Sequence, residues 1–459
     1  MKTKKIAILL LSAAITVSSL VGCTKTQPTN TDGTKKPEET KQKVVFWGGQ
    51  FGSNKIFDRF KEETGIDYEY PVNFVDNAKL VAAIASGAPP DAAFVYMSDV
   101  PKLAAANAIR PIDDYIKDGS IKWDDYYDWA VGLGMYNGKH YALNWDISTQ
   151  VLYYNKKMFE QAGLDPNKPP KTWQELYDFS KKLTKFDSKG NLVQRGYQAE
   201  WWKAGVLTFQ EEAITPGWKP ADPYTVNLNS PIRTEAWELV KSLYQLQGGE
   251  EAVKKAQDAG VKFGLEFDTT AMKIDDIQWP YQIYTEQYPD MDFGIAPVPS
   301  KAGAKNAMAM DATWALVLPA KSKNPELGLA IAKWLATSGL FAGEKKALEA
   351  DPSAYWTMPL ANKKYTETII KEYLPQVTNE KLKNRELYKF DLITKIAVPV
   401  TKSPVDFGKA EDEAWQKFYK GEVSAKEAIA SVEEKNKKAV ENFIKEKKAM
   451  GVWQENQTK

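Results

Sequence analysis

The 459-residue sequence contains one cysteine, Cys23, and one histidine, His140. A lone cysteine allows no intramolecular disulfide and excludes zinc sites built on several thiolates, so stability must come from the core. A single histidine argues against histidine-based catalysis and transition-metal capture, and no metal or other cofactor is expected. Long apolar runs are scarce as well. The stretch Ile6 to Val21 falls short of the roughly 20 strongly apolar residues that a spanning helix needs. An excess of positive charge is also missing, with 61 Lys and Arg against 60 Asp and Glu. Eight lysines and three acids fall in residues 1–43, which leaves a net charge of −4 on the remainder. Nothing in that balance asks for nucleic acid. No short-period repeat is visible, so a solenoid or propeller is not expected.

The beginning of the chain is informative. Three lysines within Met1 to Lys5 precede the apolar run, the pattern of a secretory signal. The run stops at Leu20-Val21-Gly22-Cys23, which resembles the lipobox of bacterial lipoproteins. That resemblance implies cleavage before Cys23, a lipid on its sulfur, and a protein held on the outer face of a cell bounded by a single membrane. From Thr24 to Lys43 the residues are almost all polar and cannot bury enough surface to fold, so they read as a tether.

From Val44 the sequence alternates strand and helix signals. Val44 to Trp47 reads as a strand, Ile56 to Glu63 as a helix stopped at Gly65, Asp67 to Val72 as a strand, Asp76 to Ala85 as a helix and Ala92 to Met97 as a strand. This order predicts an α/β layered domain whose strand-end loops face a ligand crevice. The length beyond Val44 predicts two globular units. Asn137-Gly138 marks a hairpin turn, and His140 just past it is expected to be solvated. Thr172 with Glu175, and Ser424 with Glu427, have capping-box spacing. Asn324 before Pro325 is expected to cap a further helix, and the last helix runs to about Met450. Asp187-Ser188-Lys189-Gly190-Asn191 lacks the alternating ligands of a calcium loop and reads as a tight turn.

Four ordered stretches now point to a family. They are Ala85-Ser86-Gly87-Ala88-Pro89-Pro90-Asp91; Gly138-Lys139-His140-Tyr141-Ala142-Leu143 continuing through Tyr153-Tyr154-Asn155-Lys156, Ala162-Gly163-Leu164 and Lys171-Thr172-Trp173; Ala271-Met272 with Asp292-Phe293-Gly294-Ile295-Ala296-Pro297-Val298-Pro299; and Trp314-Ala315-Leu316-Val317 with Lys323-Asn324-Pro325-Glu326. Together they resemble the family 1 extracellular solute-binding proteins of bacterial ABC importers, the maltose-binding-protein group. The chain departs from the family pattern at Lys273 to Trp279 and at Asn144-Trp145-Asp146.

The resemblance implies two α/β lobes joined by hinge strands, lobe one at about 44–149 and 299–345 and lobe two at about 150–298 and 346–459. It also implies a monomer that captures a carbohydrate between the lobes, passes it to permease subunits and catalyses nothing. Sugars offer flat C–H faces and hydroxyl rims, which aromatic rings and polar side chains grip. The candidate ligand residues at strand ends and lobe crossings are therefore Trp47, Tyr96, Asn144, Trp145, Asp146, Asp311 and Trp314 in lobe one, and Trp201, Trp202 and Trp279 in lobe two. Trp173 and Trp334, at helical positions, are expected to be packing residues. A secreted glycosidase and a receptor for a non-sugar solute are the alternatives.

Overall fold

The computed structural model describes residues 42–49, 55–73, 76–116, 119–214, 224–303, 314–395, 403–405 and 408–453. Cys23, the signal segment and most of the tether lie outside the described residues, as does Asp311. Among the described residues no helix is long and apolar enough to cross a membrane.

Eight strands build two sheets: β1 (Lys43–Trp47), β2 (Asp67–Val72), β3 (Ala92–Tyr96), β4 (Ala142–Asn144), β5 (Gln150–Asn155), β6 (Met272–Asp276), β7 (Phe293–Ala296) and β8 (Trp314–Val317). The first sheet has the order β2-β1-β3-β8-β4. β1 runs parallel to β2 and β3, while β8 runs antiparallel to β3 and β4. The second sheet is antiparallel, with β5 between β6 and β7. Each sheet with its helices forms one lobe of a two-lobed α/β fold. The chain crosses between lobes from β4 to β5 through residues 145–149 and returns from β7 to β8.

Local chemistry explains where the elements start and stop. The first helices, α1 (Lys55–Thr64) and α2 (Asn77–Ala85), alternate with β1 to β3 as the sequence predicts, and the Asp76 side chain caps α2 by accepting from the Lys79 N–H. In the hairpin, Asn137 and Gly138 both adopt positive φ, 52° and 70°. α3 (Trp173–Leu183) begins with the complete capping box of Thr172 and Glu175. Asp187 accepts from the Lys189 and Asn191 N–H groups and closes the tight turn. The long terminal helix, Ala425–Ala449, opens on the Ser424–Glu427 capping box.

Two expectations need correction. His140 is not a free solvated side chain: its Nδ1 lies 2.7 Å from Asp113 Oδ1 and its ring stacks on Trp123 at 4.0 Å. The hairpin folds back on the lobe, so turn chemistry alone could not show what lay beneath it. Asn324 makes no side-chain cap to the helix Pro325–Trp334. Its amide donates instead to Asp91 at 3.3 Å. Asp91, 4% exposed, also accepts from the Val45 N–H at 3.0 Å and the Ser322 hydroxyl at 2.8 Å. A nearly buried carboxylate needs several donors, and here they outcompete the cap.

The cores follow the lobes only in part. One cluster surrounds the first sheet, with Phe46, Phe57, Phe60, Phe94 and Leu316, and extends to Tyr153, Tyr281 and Phe293 under the second. Another gathers Trp173, Trp237, Trp415 and Phe418 against β5 and β6. A small third cluster holds Leu348, Tyr355, Leu360, Tyr373 and Phe390. Trp173 and Trp334 are each 7% exposed, and their indole N–H groups donate to the Pro299 carbonyl and to Glu63. Both are packing residues, as expected.

Candidate functional site

The strand ends of both lobes open on a cleft of about 470 Å³, lined by Gly49, Tyr96, Trp145 and Trp314 on one side and by Asp275, Asp276, Gln278, Trp279 and Gln282 on the other. Trp356 and Met358, from the C-terminal part of the chain, complete the wall. That volume falls within the range of small-molecule sites.

Register explains the lobe-one wall. Trp314 pairs with Tyr96 where β8 meets β3, and their rings stack with centroids 4.5 Å apart. Phe94 lies behind them and meets Trp145 edge-on at 4.8 Å and Trp314 at 5.9 Å. The exposed Tyr96 and half-buried Trp314 thus rest on a buried aromatic base. This fixes two flat surfaces at little entropic cost when a ligand arrives.

The lobe-two wall is built at the end of β6. Asp276 Oδ1 accepts from the Gln278 N–H at 2.8 Å and the Trp279 N–H at 3.1 Å, which shapes the entry into the helix Trp279–Glu286. The Ser148 hydroxyl donates to Asp276 Oδ2. Trp279 leads that helix and is 60% exposed, which the hydrophobic effect does not favour for a large ring with no partner to meet. Asp275 is ion-paired with Lys273 at 2.9 Å. Gln278 sends its amide to the Ile147 carbonyl at 2.6 Å and so ties this wall to the lobe crossing.

Two carboxyls at the crossing are displaced from ordinary behaviour. Burial pushes Asp146 up to about 7, opposed by its bond from the Trp314 N–H and reinforced by the nearby Asp276. Burial likewise pushes Asp276 up to about 6, against its bonds from Ser148, Gln278 and Trp279. Among the described residues, no group of three or more His, Cys, Asp or Glu side chains is arranged to hold a metal ion.

Of the residues proposed from sequence, the structure brings Tyr96, Trp145, Trp279 and Trp314 to the cleft. Asp146 is fully buried behind it, bonded to the backbone of Trp314. Asn144 is 1% exposed and donates to the Ala130 carbonyl at 2.8 Å, which commits it to the core. Trp47 does not line the cleft: its half-buried ring lies 5.9 Å from the Lys79 ammonium, and Gly49 takes its place. Trp201 packs on the second core, and Trp202, 39% exposed, has Lys203 Nζ 3.4 Å from its ring centre; neither lines the cleft.

Sequence reasoning passed over Asp275, Asp276 and Gln278, although they precede Trp279 in the stretch that departs from the family pattern, and Gln282, which lies three residues beyond it. It also passed over Trp356 and Met358, for which no local signal exists.

The comparisons agree with this fold. Residues 51–339 match the family model described as bacterial extracellular solute-binding protein. The sn-glycerol-3-phosphate-binding periplasmic protein UgpB of Shigella flexneri serotype 5b is 34% identical over 172 residues, covering 34% of this chain and 38% of that protein. Its counterpart in Pectobacterium atrosepticum is 35% identical over 171 residues, covering 34% and 37%. The chain thus spans little more than a third of the length of these curated relatives. A solute-binding protein of Thermotoga lettingae bound with alpha-D-tagatose superposes with a TM-score of 0.67 at 23% identity, covering 87% of this chain and all of the other. The sugar-binding protein MalE of Xanthomonas citri gives 0.65 at 16% identity, covering 90% and 100%. By the extent of the family match, with a fold of the same kind, the chain belongs to the bacterial extracellular solute-binding proteins.

Proposed function

We propose that the protein captures an uncharged carbohydrate in this cleft and delivers it to the membrane subunits of an ABC importer, leaving its bonds intact. One observation carries the reading: Trp145, Trp279, Trp314, Trp356 and Tyr96 converge from both lobes on one cavity. Such rings suit the C–H faces of sugars, and the Asp and Gln groups between them suit hydroxyls. The relatives named for sn-glycerol 3-phosphate suggest a phosphorylated solute instead. The described lining favours the neutral sugar, because it contains no Lys, Arg or His and its carboxylates would repel an anion. Alpha-D-tagatose in one structural neighbour and mannotriose in another support the same choice.

A glycosidase needs two carboxyl groups facing each other across the scissile bond. The two carboxylates in the described lining, Asp275 and Asp276, are adjacent on one strand end, which supports binding without catalysis. Transport follows from closure: contacts made from both sides when the lobes approach favour the closed state, and the importer reads that shape. Lobe one is assigned to about 44–149 and 299–345 and lobe two to about 150–298 and 346–459, a division that strand membership of the two sheets supports up to residue 317. The C-terminal part also reaches lobe one, since Lys447 donates to the Ala105 carbonyl. The protein acts as a monomer anchored through a lipid on Cys23 at the outer face of a single-membrane cell. Fatty-acid labelling that is lost in Cys23→Ala is the expected result.

Thermal unfolding with mannobiose, mannotriose, maltotriose and sn-glycerol 3-phosphate tests the ligand class. A solute at 100 times its Kd adds about 2.7 kcal/mol of stability. A rise with a neutral sugar is expected. A rise with sn-glycerol 3-phosphate alone would overturn the carbohydrate assignment, and release of reducing ends from the glycans would overturn the non-catalytic one.

A further inference from the structure

The cleft wall at Trp356 and Met358 stands on an extended segment that belongs to no strand. Burial alternates along it. Tyr355 and Thr357 are 3% and 1% exposed, whereas Trp356 and Met358 are half-buried and face the cleft. Outside a sheet, the buried N–H and C=O of Thr357 have no ladder partner and must be satisfied some other way. Two side chains one turn apart on the helix Glu380–Thr394 do this. The Thr357 N–H donates to Glu386 Oε2 at 3.3 Å, and Lys389 Nζ donates to the Thr357 carbonyl at 2.6 Å. Glu386 and Lys389 are themselves ion-paired at 2.8 Å, with side chains 0% and 2% exposed.

A buried ion pair is a poor means of gaining stability, because apolar residues of similar volume often do as well or better. Besides facing Glu344 and the Tyr281 ring, this pair bonds both backbone groups of a single residue between two cleft residues. Neighbouring contacts extend the grip. The Tyr355 hydroxyl donates to Glu344 at 3.0 Å, and Trp356 Nε1 donates at 2.9 Å to Glu286, on the helix that Trp279 opens. Just beyond, the Ile147 N–H donates to the Pro359 carbonyl and the Ala361 N–H to the Trp145 carbonyl, which fastens the segment to the lobe crossing.

We infer that Glu386 and Lys389 are positioning residues for the binding cleft: by clamping both backbone groups of Thr357 they hold Trp356 and Met358 as a fixed wall. That this wall meets a solute rests on the function proposed above; the clamp itself does not. Without the clamp the Trp356 ring gains rotamers that a ligand must freeze again on binding, and affinity falls.

The decisive variant is Glu386→Leu with Lys389→Met, which removes both charges of the pair together and leaves the neighbouring Glu344, already raised to about 7 by burial, free to take a proton. The full chain is labelled with 5-fluorotryptophan, and Trp356 is assigned by the signal missing in Trp356→Phe. In the double variant, cooperative unfolding and the Trp279 signal are retained. The Trp356 signal shifts or broadens at least twofold, and the Thr357 amide exchanges at least tenfold faster. A Trp356 signal of unchanged position and width, with Thr357 exchange within twofold of wild type, would overturn the inference. If the double variant does not fold, Glu386→Gln decides the matter, with at least threefold faster Thr357 exchange expected and no change refuting the clamp. These readouts need no ligand, so they stand apart from the sugar assignment. If mannotriose binds the wild type, its Kd rises at least tenfold in the double variant, and an unchanged Kd counts against the proposal.

Discussion

Replacing Asp146 by asparagine should flatten the pH dependence of stability. Its carboxyl stands at about 7 in the folded protein against 3.8 for an ordinary aspartate, chiefly because it is fully buried beneath Trp314. Between those values the folded state keeps a proton that the unfolded chain has released, so stability falls as pH rises through that window and levels off above it. At roughly 1.36 kcal/mol per unit, the group accounts for about 3 kcal/mol of lost stability between pH 4.5 and 7. Asparagine keeps an oxygen for the Trp314 N–H, now 2.9 Å from Asp146 Oδ1, and carries no proton to lose. Asp276, raised to about 6, and Glu344, raised to about 7, slope in the same direction in both proteins. The informative quantity is therefore the difference between wild type and variant. Urea unfolding from pH 4.5 to 8 should show the wild type losing about 2–3 kcal/mol more than Asp146→Asn, a range that allows for the coupling of Asp146 to Asp276. Parallel curves would show that the carboxyl is not held protonated by burial and would refute the reasoning.

Three further substitutions separate binding from packing. Trp279→Ala should leave denaturant stability within about 0.5 kcal/mol, since the ring is 60% exposed, while weakening glycan binding measured by calorimetry. Trp314→Ala should lower both, at a cost of about 2 kcal/mol in stability, because its ring also packs on Tyr96 and Phe94. Trp173→Ala should cost about 3–5 kcal/mol and leave the affinity of the remaining folded protein unchanged, as its 7% exposed ring fills the second core far from the lining. In Gly328→Ala the new methyl would lie 2.1 Å from the Asp91 carbonyl oxygen, so a melting scan should register a loss of about 2–3 kcal/mol as the helix is forced off the sheet.

By itself the sequence determined what is decided within a few residues. The Thr172 and Ser424 capping boxes, the Asn137-Gly138 turn and the strands β1 to β3 depend on dihedral preferences, local hydrogen bonds and side-chain periodicity, all of which act over a turn or less. The aromatic strand ends Tyr96, Trp145 and Trp314 were legible for a related reason: antiparallel register places the start of β8 beside the ends of β3 and β4. Tertiary structure alone decided the rest. Trp201 and Trp202 carry the same chemistry as Trp314, yet what they face depends on helices distant in the chain. Asn144 and Asp146 are polar residues at the crossing, and packing rather than polarity turned them away from the cleft. Trp356 stands at the site on a segment fastened by contacts remote in the chain, among them an ion pair some thirty residues further along that satisfies the backbone of Thr357. Contacts at such separations are fixed by which surfaces exclude water together and which buried polar groups find partners, and no short window of sequence contains that information.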